Sequence, residues 1–176
     1  MAILSIPSQN HSISDANEIR TFLNERGVYF DQWEAAVEFS EDADQDTILK
    51  AYEYVLQPYM ASNGYLVADV ININAQTPNY EAVRAKFLSE HTHTEDEVRF
   101  FVDGQGHFWF NLEDGKTPVF NVLLQSGDLI SVPANTKHWF DAGEHNPFVK
   151  TIRIFIDQSG WVPHYTGSKI EAQFQG

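Results

Sequence analysis

The run His91-Thr92-His93-Thr94-Glu95-Asp96-Glu97, followed later by Pro133-Ala134-Asn135-Thr136-Lys137-His138, supplies three imidazoles and one carboxylate, a set able to close around a single metal ion. His91 and His93 are two residues apart, a spacing that points both rings to the same side of an extended strand. Glu97 and Arg99 share that parity if the strand runs on without a bulge. His138 has to arrive from a second strand, and Trp139-Phe140, after the turn segments Gly127-Asp128 and Pro133-Ala134-Asn135, provide one. A histidine alone on a strand is more often a surface or satisfied core residue; the four-residue constellation outweighs that reading. His11, His107, His145 and His164 have no partner at ligand spacing and read as structural or solvated. With no cysteine in the chain, thiolate ligands and disulfides are excluded.

The rest of the chain must hold these groups in place. Its 176 residues fit one domain, long enough to bury roughly 70% of the surface of the unfolded chain. Aromatic residues make up 14%, with 13 Phe and 4 Trp, which favours a packed β interior. Asp and Glu number 25 against 11 Lys and Arg, and the net charge of −14 repels a polyanion, so no nucleic-acid partner is expected. A small anionic substrate is not excluded, because a metal and an arginine set the field inside a pocket. The N-terminal residues 1–7 lack a basic region and their apolar run is broken by Pro7, unlike a secretory signal. No apolar stretch approaches the roughly 18 residues of a membrane span. The expectation is a soluble, cytoplasmic monomer with no membrane partner.

Ile19, Phe22 and Leu23, between Asp15 with Glu18 at capping-box spacing and Gly27, predict a helix over residues 15–26. A strand is expected over 28–33, a second helix from 44 to about 54 with Pro58 beyond its end, a strand over 65–74 and a third short helix over 81–88 that delivers the chain to His91. From there the pattern is all β. Residues 97–102 and 107–112 flank Asp103-Gly104-Gln105-Gly106, read as a hairpin turn whose arms pair antiparallel. Residues 119–124, 129–132, 139–141 and 149–156 add further short strands. The expected fold is mainly β, a barrel or jelly roll with a few α-helices mostly in the N-terminal half. It forms a single domain over 1–176, with a helical and strand segment to about 64, a barrel core over about 65–158 and a closing segment over about 159–176.

His91-x-His93-x3-Glu97 followed by six residues and Gly104, and Gly127-x5-Pro133-x-Asn135-x2-His138, resemble the two cupin motifs in spacing. Glu90 through Gly104 (EHTHTEDEVRFFVDG) and Ile130 through Asp141 (ISVPANTKHWFD), with Ile152-Arg153-Ile154-Phe155 and Gly160-Trp161, more narrowly resemble the acireductone dioxygenases of methionine salvage. The chain departs from the general cupin pattern at Asn135, where glycine is usual, and at Ala142, where asparagine is usual.

The resemblance implies a cupin-type β-barrel that cleaves acireductone (1,2-dihydroxy-3-keto-5-methylthiopentene) with O2. It implies one Fe(2+) or Ni(2+) per chain on His91, His93, Glu97 and His138. The iron form gives formate and 4-methylthio-2-oxobutanoate; the nickel form gives methylthiopropanoate, formate and carbon monoxide. Imidazole and carboxylate suit both ions, so the ligands do not choose between them. Arg99 would hold the substrate dianion with its planar fork, the alternative being a core arginine paired to Asp96 or another acid. By resemblance alone, Glu90 assists metal incorporation and Asp96 transmits local conformational change. Phe140, of the same parity as His138, and Trp161 would wall the methylthio tail, with Phe87 and Phe100 as further candidates, and Arg153 reads as a structural ion-pair residue. The alternatives are a cupin enzyme of another kind, a different dioxygenase or an isomerase, and a non-catalytic cupin module that retains a metal or small ligand without turnover.

Overall fold

The computed structural model describes residues 2–34, 40, 42–157 and 162–174. In chain order the strands are β1 (Ile3–Ile6), β2 (His11–Ile13), β3 (Tyr29–Gln32), β4 (Val67–Asn74), β5 (His91–Thr92), β6 (Glu97–Phe110), β7 (Phe120–Gln125), β8 (Asp128–Val132), β9 (His138–Asp141), β10 (Phe148–Phe155) and β11 (His164–Tyr165). The helices are α1 (Ala16–Asn24), α2 (Gln45–Ala51), α3 (Glu53–Asn63) and α4 (Tyr80–Leu88), all in the N-terminal half. Two sheets share β6. Its first part pairs antiparallel with β8 and β10, and β3 and β4 extend that sheet. Its second part pairs with β7 and β9, continued by β1 and β2 on one side and by β5 and β11 on the other. This is the mainly β, jelly-roll architecture expected, and no helix among the described residues is long and apolar enough to cross a membrane.

The hairpin expected at residues 103–106 is not formed. The two runs on either side of it are successive parts of the one strand β6 and do not pair with each other. Gly104 has φ 73, and a Cβ there would overlap the backbone oxygen of Phe148. The register against β10 slips between Lys150 and Thr151. The glycine therefore lets β6 bulge and pass from one sheet to the other, where a turn would have reversed it.

The second expected helix is also different. α2 ends at Ala51, the chain bends at Tyr52 with φ −97 and ψ 3, and α3 runs through Pro58 to Asn63, where Gly64 at φ 73 ends it. Pro58 has no N–H to give the preceding turn, yet the helix runs on, with Leu56 before it and Tyr59 and Met60 after it packed against the same core. Packing overrides local propensity here. The cap on α1 is as predicted: Asp15 accepts from the backbone N–H of Glu18 at 2.9 Å.

The core has two parts. Between the sheets, Leu4, Phe108, Phe110 and Phe120 from one meet Phe30, Phe101, Ile130 and Val149 from the other, and Ile19 and Leu23 of α1 join them. On the outer face of the sheet containing β8 and β10, Val98, Phe100, Leu129, Ile152 and Ile154 are covered by Ile48, Tyr52 and Leu56 of α2 and α3. The first part of β6 is consequently buried on both faces, while His107 and Trp109 in the second part are only half-buried.

Candidate metal centre

His91 of β5 and His138 of β9 stand directly opposite each other. β5 is only two residues long and the chain bends at Thr94-Glu95, so the uninterrupted strand assumed from the sequence does not reach Glu97. Glu97 instead opens β6, opposite Val132. His91, His93, Glu97 and His138 nevertheless converge, with one donor atom from each lying within 4.8 Å of the others. None of the four is more than 6% exposed. His11, His107, His145 and His164 stand outside the cluster, as expected.

The backbone orients each ring. His91 Nδ1 lies 2.7 Å from the carbonyl oxygen of Ser89, His93 Nδ1 3.1 Å from that of Val162, and His138 Nδ1 2.8 Å from that of Thr136. A carbonyl only accepts, so each Nδ1 carries the proton and each Nε2 lone pair is left for the common centre. Glu97 Oε2 is 2.7 Å from His138 Nε2 and 3.2 Å from His93 Nε2. Ligand bonds of about 2.1 Å to one ion bring donor atoms to comparable separations, and hard and borderline donors of this type suit a divalent metal. The residues present fit such an ion.

Burial works against charge on Glu97, but the guanidinium of Arg99, helped by the adjacent imidazoles of His138 and His93, holds its carboxyl well below the usual range. Arg99 Nε donates to Glu97 Oε1 at 2.8 Å, so the acid that pairs with Arg99 is the ligand carboxylate. Burial, with the neighbouring His138, pushes His91 down to about 4, keeping it neutral and able to ligate. In His93 burial is outweighed by the hydrogen bond and charge of Glu97, and the pKa rises.

Asp96 and Glu90 tie the surroundings together. Asp96 accepts from Tyr65 Oη at 2.9 Å and from the backbone N–H of Ala134 at 3.0 Å, which joins the start of β6 to the loop leading to His138. In that loop Asn135 has φ 64, and its N–H donates to the His93 carbonyl at 2.8 Å. Asparagine tolerates the left-handed conformation, which accounts for its standing where cupins have glycine. Glu90 is buried, and its Oε1 accepts from Thr166 Oγ1 at 2.6 Å and Ser168 Oγ at 2.8 Å, its Oε2 from Asn111 Nδ2 at 2.8 Å. Burial opposes its charge, but these hydrogen bonds prevail and lower its pKa. They hold the C-terminal segment carrying Val162 and β11 against β5.

A cleft of about 220 Å³ opens onto the four donors, and its walls include Arg99, Phe87, Phe140, Arg153 and Tyr165. α4 brings Phe87 there, anchored by Arg84, whose Nε and Nη2 donate to Asp141 at 3.0 and 3.1 Å. Phe100 is not in the cleft: it lies on the opposite face of β6 from Arg99, against Trp33 and Tyr52, because successive strand residues alternate. Arg153, opposite Arg99 in the β6–β10 register, forms the expected ion pair, donating to Asp69 at 2.7 and 2.5 Å, and also reaches the cleft wall. Trp161 lies outside the described residues. Sequence reasoning missed Lys86, Pro163 and Tyr165 in the wall. Tyr165 sits in a two-residue strand with no periodicity to reveal it. Asp69 is identified only through its register with Arg153. A wider groove of about 650 Å³, between Arg26, Lys116 and Lys137, contains none of the donors, so donor chemistry rather than size marks the site.

Comparison with known proteins agrees with this geometry. The ARD/ARD' family matches residues 6–163. The acireductone dioxygenase of Picosynechococcus sp. is 55% identical over 175 residues, covering 99% of this chain and 98% of its own length. That of Granulibacter bethesdensis is 51% identical over 160 residues, covering 91% and 87%. A solved acireductone dioxygenase from Bacillus anthracis, with a cadmium ion in its active centre, superposes with a TM-score of 0.82 at 35% identity, covering 94% of this chain and 98% of that one. With a family match over most of its length and relatives of this similarity across nearly all of it, the chain belongs to the acireductone dioxygenase (ARD/ARD') family.

Proposed function

We propose that the chain cleaves acireductone with O2, using one Fe(2+) or Ni(2+) held by His91, His93, Glu97 and His138. The observation that carries this reading is Arg99, buried in the wall of the cleft onto which the four donors open and bonded to one of them. Asp69 balances Arg153 and Glu97 balances Arg99, while ligating imidazoles are neutral. A divalent ion, with Lys86 in the wall, then leaves the cleft net positive, which suits a doubly deprotonated enediol. Bound there, the ion supplies Lewis acidity toward the enediolate oxygens and a template for substrate and O2.

The protein groups have distinct tasks. Arg99 presents its fork to the substrate oxygens and keeps the dianion oriented. Phe140 and Phe87, with Trp161 by family resemblance, exclude water around the methylthio tail. Glu90 holds the segment over the site and assists metal incorporation; Asp96 transmits movement between Tyr65 and the loop before His138. The names of the relatives and the cadmium in the Bacillus anthracis enzyme support a divalent metal and this substrate. Stripping the metal and reloading anaerobically tests the reading. Iron should give formate and the keto acid, nickel should give methylthiopropanoate, formate and carbon monoxide, and identical products from both would refute the metal-dependent outcome.

A further inference from the structure

We propose that Gly106 sets the length of the cleft: its missing side chain is the space that lets Phe140 lie back from the donors, making this position a determinant of how long a tail the substrate carries. This rests on the reading of Phe140 as the wall for that tail. Gly106 is in the interior of β6, paired with Leu124 of β7, and has no positive φ that would call for glycine. Glycine inside a strand weakens it through chain entropy and lost side-chain packing. The compensating reason is steric. A Cβ on Gly106 would overlap Cζ of Phe140 and stand 2.5 Å from its Cε2. Phe140, on β9, is opposite Phe108 of β6, so its ring leans along the inner face of the sheet and fills the place of the absent side chain.

The effect of filling that place has a direction. The Phe140 ring is backed by Phe108 at 4.9 Å and Phe101 at 6.4 Å between centroids, both fully buried. β7 pins Gly106 from the other side through Leu124. The open side is the cleft, where Arg99 lies 5.5 Å from the ring and Phe87 6.1 Å. A methyl group on Gly106 therefore drives the ring toward Arg99 and Phe87 and shortens the apolar end of the site, leaving the donors untouched. Gly106 is a positioning residue that acts through Phe140.

The test compares acireductone with an analogue whose tail is a single methyl group, on metal-loaded Gly106→Ala and native enzyme. KM for acireductone should rise on the order of 10-fold or more, with kcat little changed and the short-tailed analogue unaffected. In Gly106→Ala/Phe140→Leu the KM should return to that of Phe140→Leu alone. An equal loss with both substrates, or no loss with either, overturns the proposal. If Gly106→Ala does not fold, Phe140→Leu on the native glycine must instead favour a tail one methylene longer, and no gain there overturns it. Native enzyme inactive on both compounds would refute the proposed reaction; the crystal structure of Gly106→Ala then decides separately, a ring moved into the cleft supporting the role and an unmoved ring with a displaced β6 overturning it.

Discussion

Arg99 and Glu97, two residues apart on β6, share a hydrogen bond of 2.8 Å that links the guanidinium in the cleft wall to the carboxylate among the imidazoles. Because Oε1 is committed to Arg99, Oε2 is the oxygen turned to His138 and His93. One side chain thus orients the carboxylate of the cluster and places its charge in the wall of the cleft.

Replacing Arg99 separates these tasks. Arg99→Lys keeps the charge and loses the fork, so kcat should fall by about 10²–10³-fold, while metal content per chain stays constant. Arg99→Met leaves Glu97 a buried charge without its cationic partner in the metal-free protein, and stability should drop by about 3–5 kcal/mol. Native kcat in both variants would return Arg99 to a structural role.

Loss of any donor should empty the centre. Alanine at His91, His93, Glu97 or His138 is expected to reduce metal content measured by plasma emission, because each supplies one of the converging atoms. His164→Ala, exposed on β11, should retain it. The reverse pattern would mean a different ligand set.

Acid should destabilise the metal-free protein in a defined window. His91 has an ordinary value of 6.5 and is pushed down to about 4 by burial and His138, so its contribution is complete above pH 6.5 and is lost as the pH falls toward 4. The shift corresponds to about 3 kcal/mol at most. Burial lowers His107 and adds in the same direction. His93 is raised, so its contribution opposes theirs, being complete below 6.5 and lost as pH rises through its folded value. Denaturant unfolding from pH 7 to 4 should therefore show a shallower loss of stability in His91→Gln than in the native chain; parallel curves would contradict the assignment.

The donors are legible in the sequence because their identities and the motif context survive a wrong local geometry: the spacing suggests one strand through His93 and Glu97, yet the two converge across a bend. Phe140 was legible through its parity with His138. Long-range pairing was not. Gly104 and Gly106 resembled a turn because glycine marks turns and bulges alike, and only the partners of β6 distinguish them. Pro58 resembled a helix stop because the burial that carries α3 through it lies in a sheet far along the chain. Arg153 and Asp69 are 84 residues apart and meet only through strand register.

Glu90→Gln probes the anchoring of the C-terminal segment. The amide keeps the shape but sets an NH2 group against donors that now face a carboxylate oxygen, costing about 1–3 kcal/mol. The midpoint of thermal unfolding should fall, and the metal-free variant should take up metal more slowly in a stopped-flow mixing experiment. Native uptake with a lowered midpoint would leave Glu90 a purely structural role.

Oxygen consumption tests the central claim most directly. Protein loaded anaerobically with Fe(2+) and mixed with a measured amount of acireductone in an oxygen electrode should consume one O2 per substrate and release one formate, whereas His138→Ala prepared in the same way should show only the uncatalysed rate. Full metal occupancy with no oxygen uptake above that rate would contradict the account and leave a metal-binding cupin without this activity.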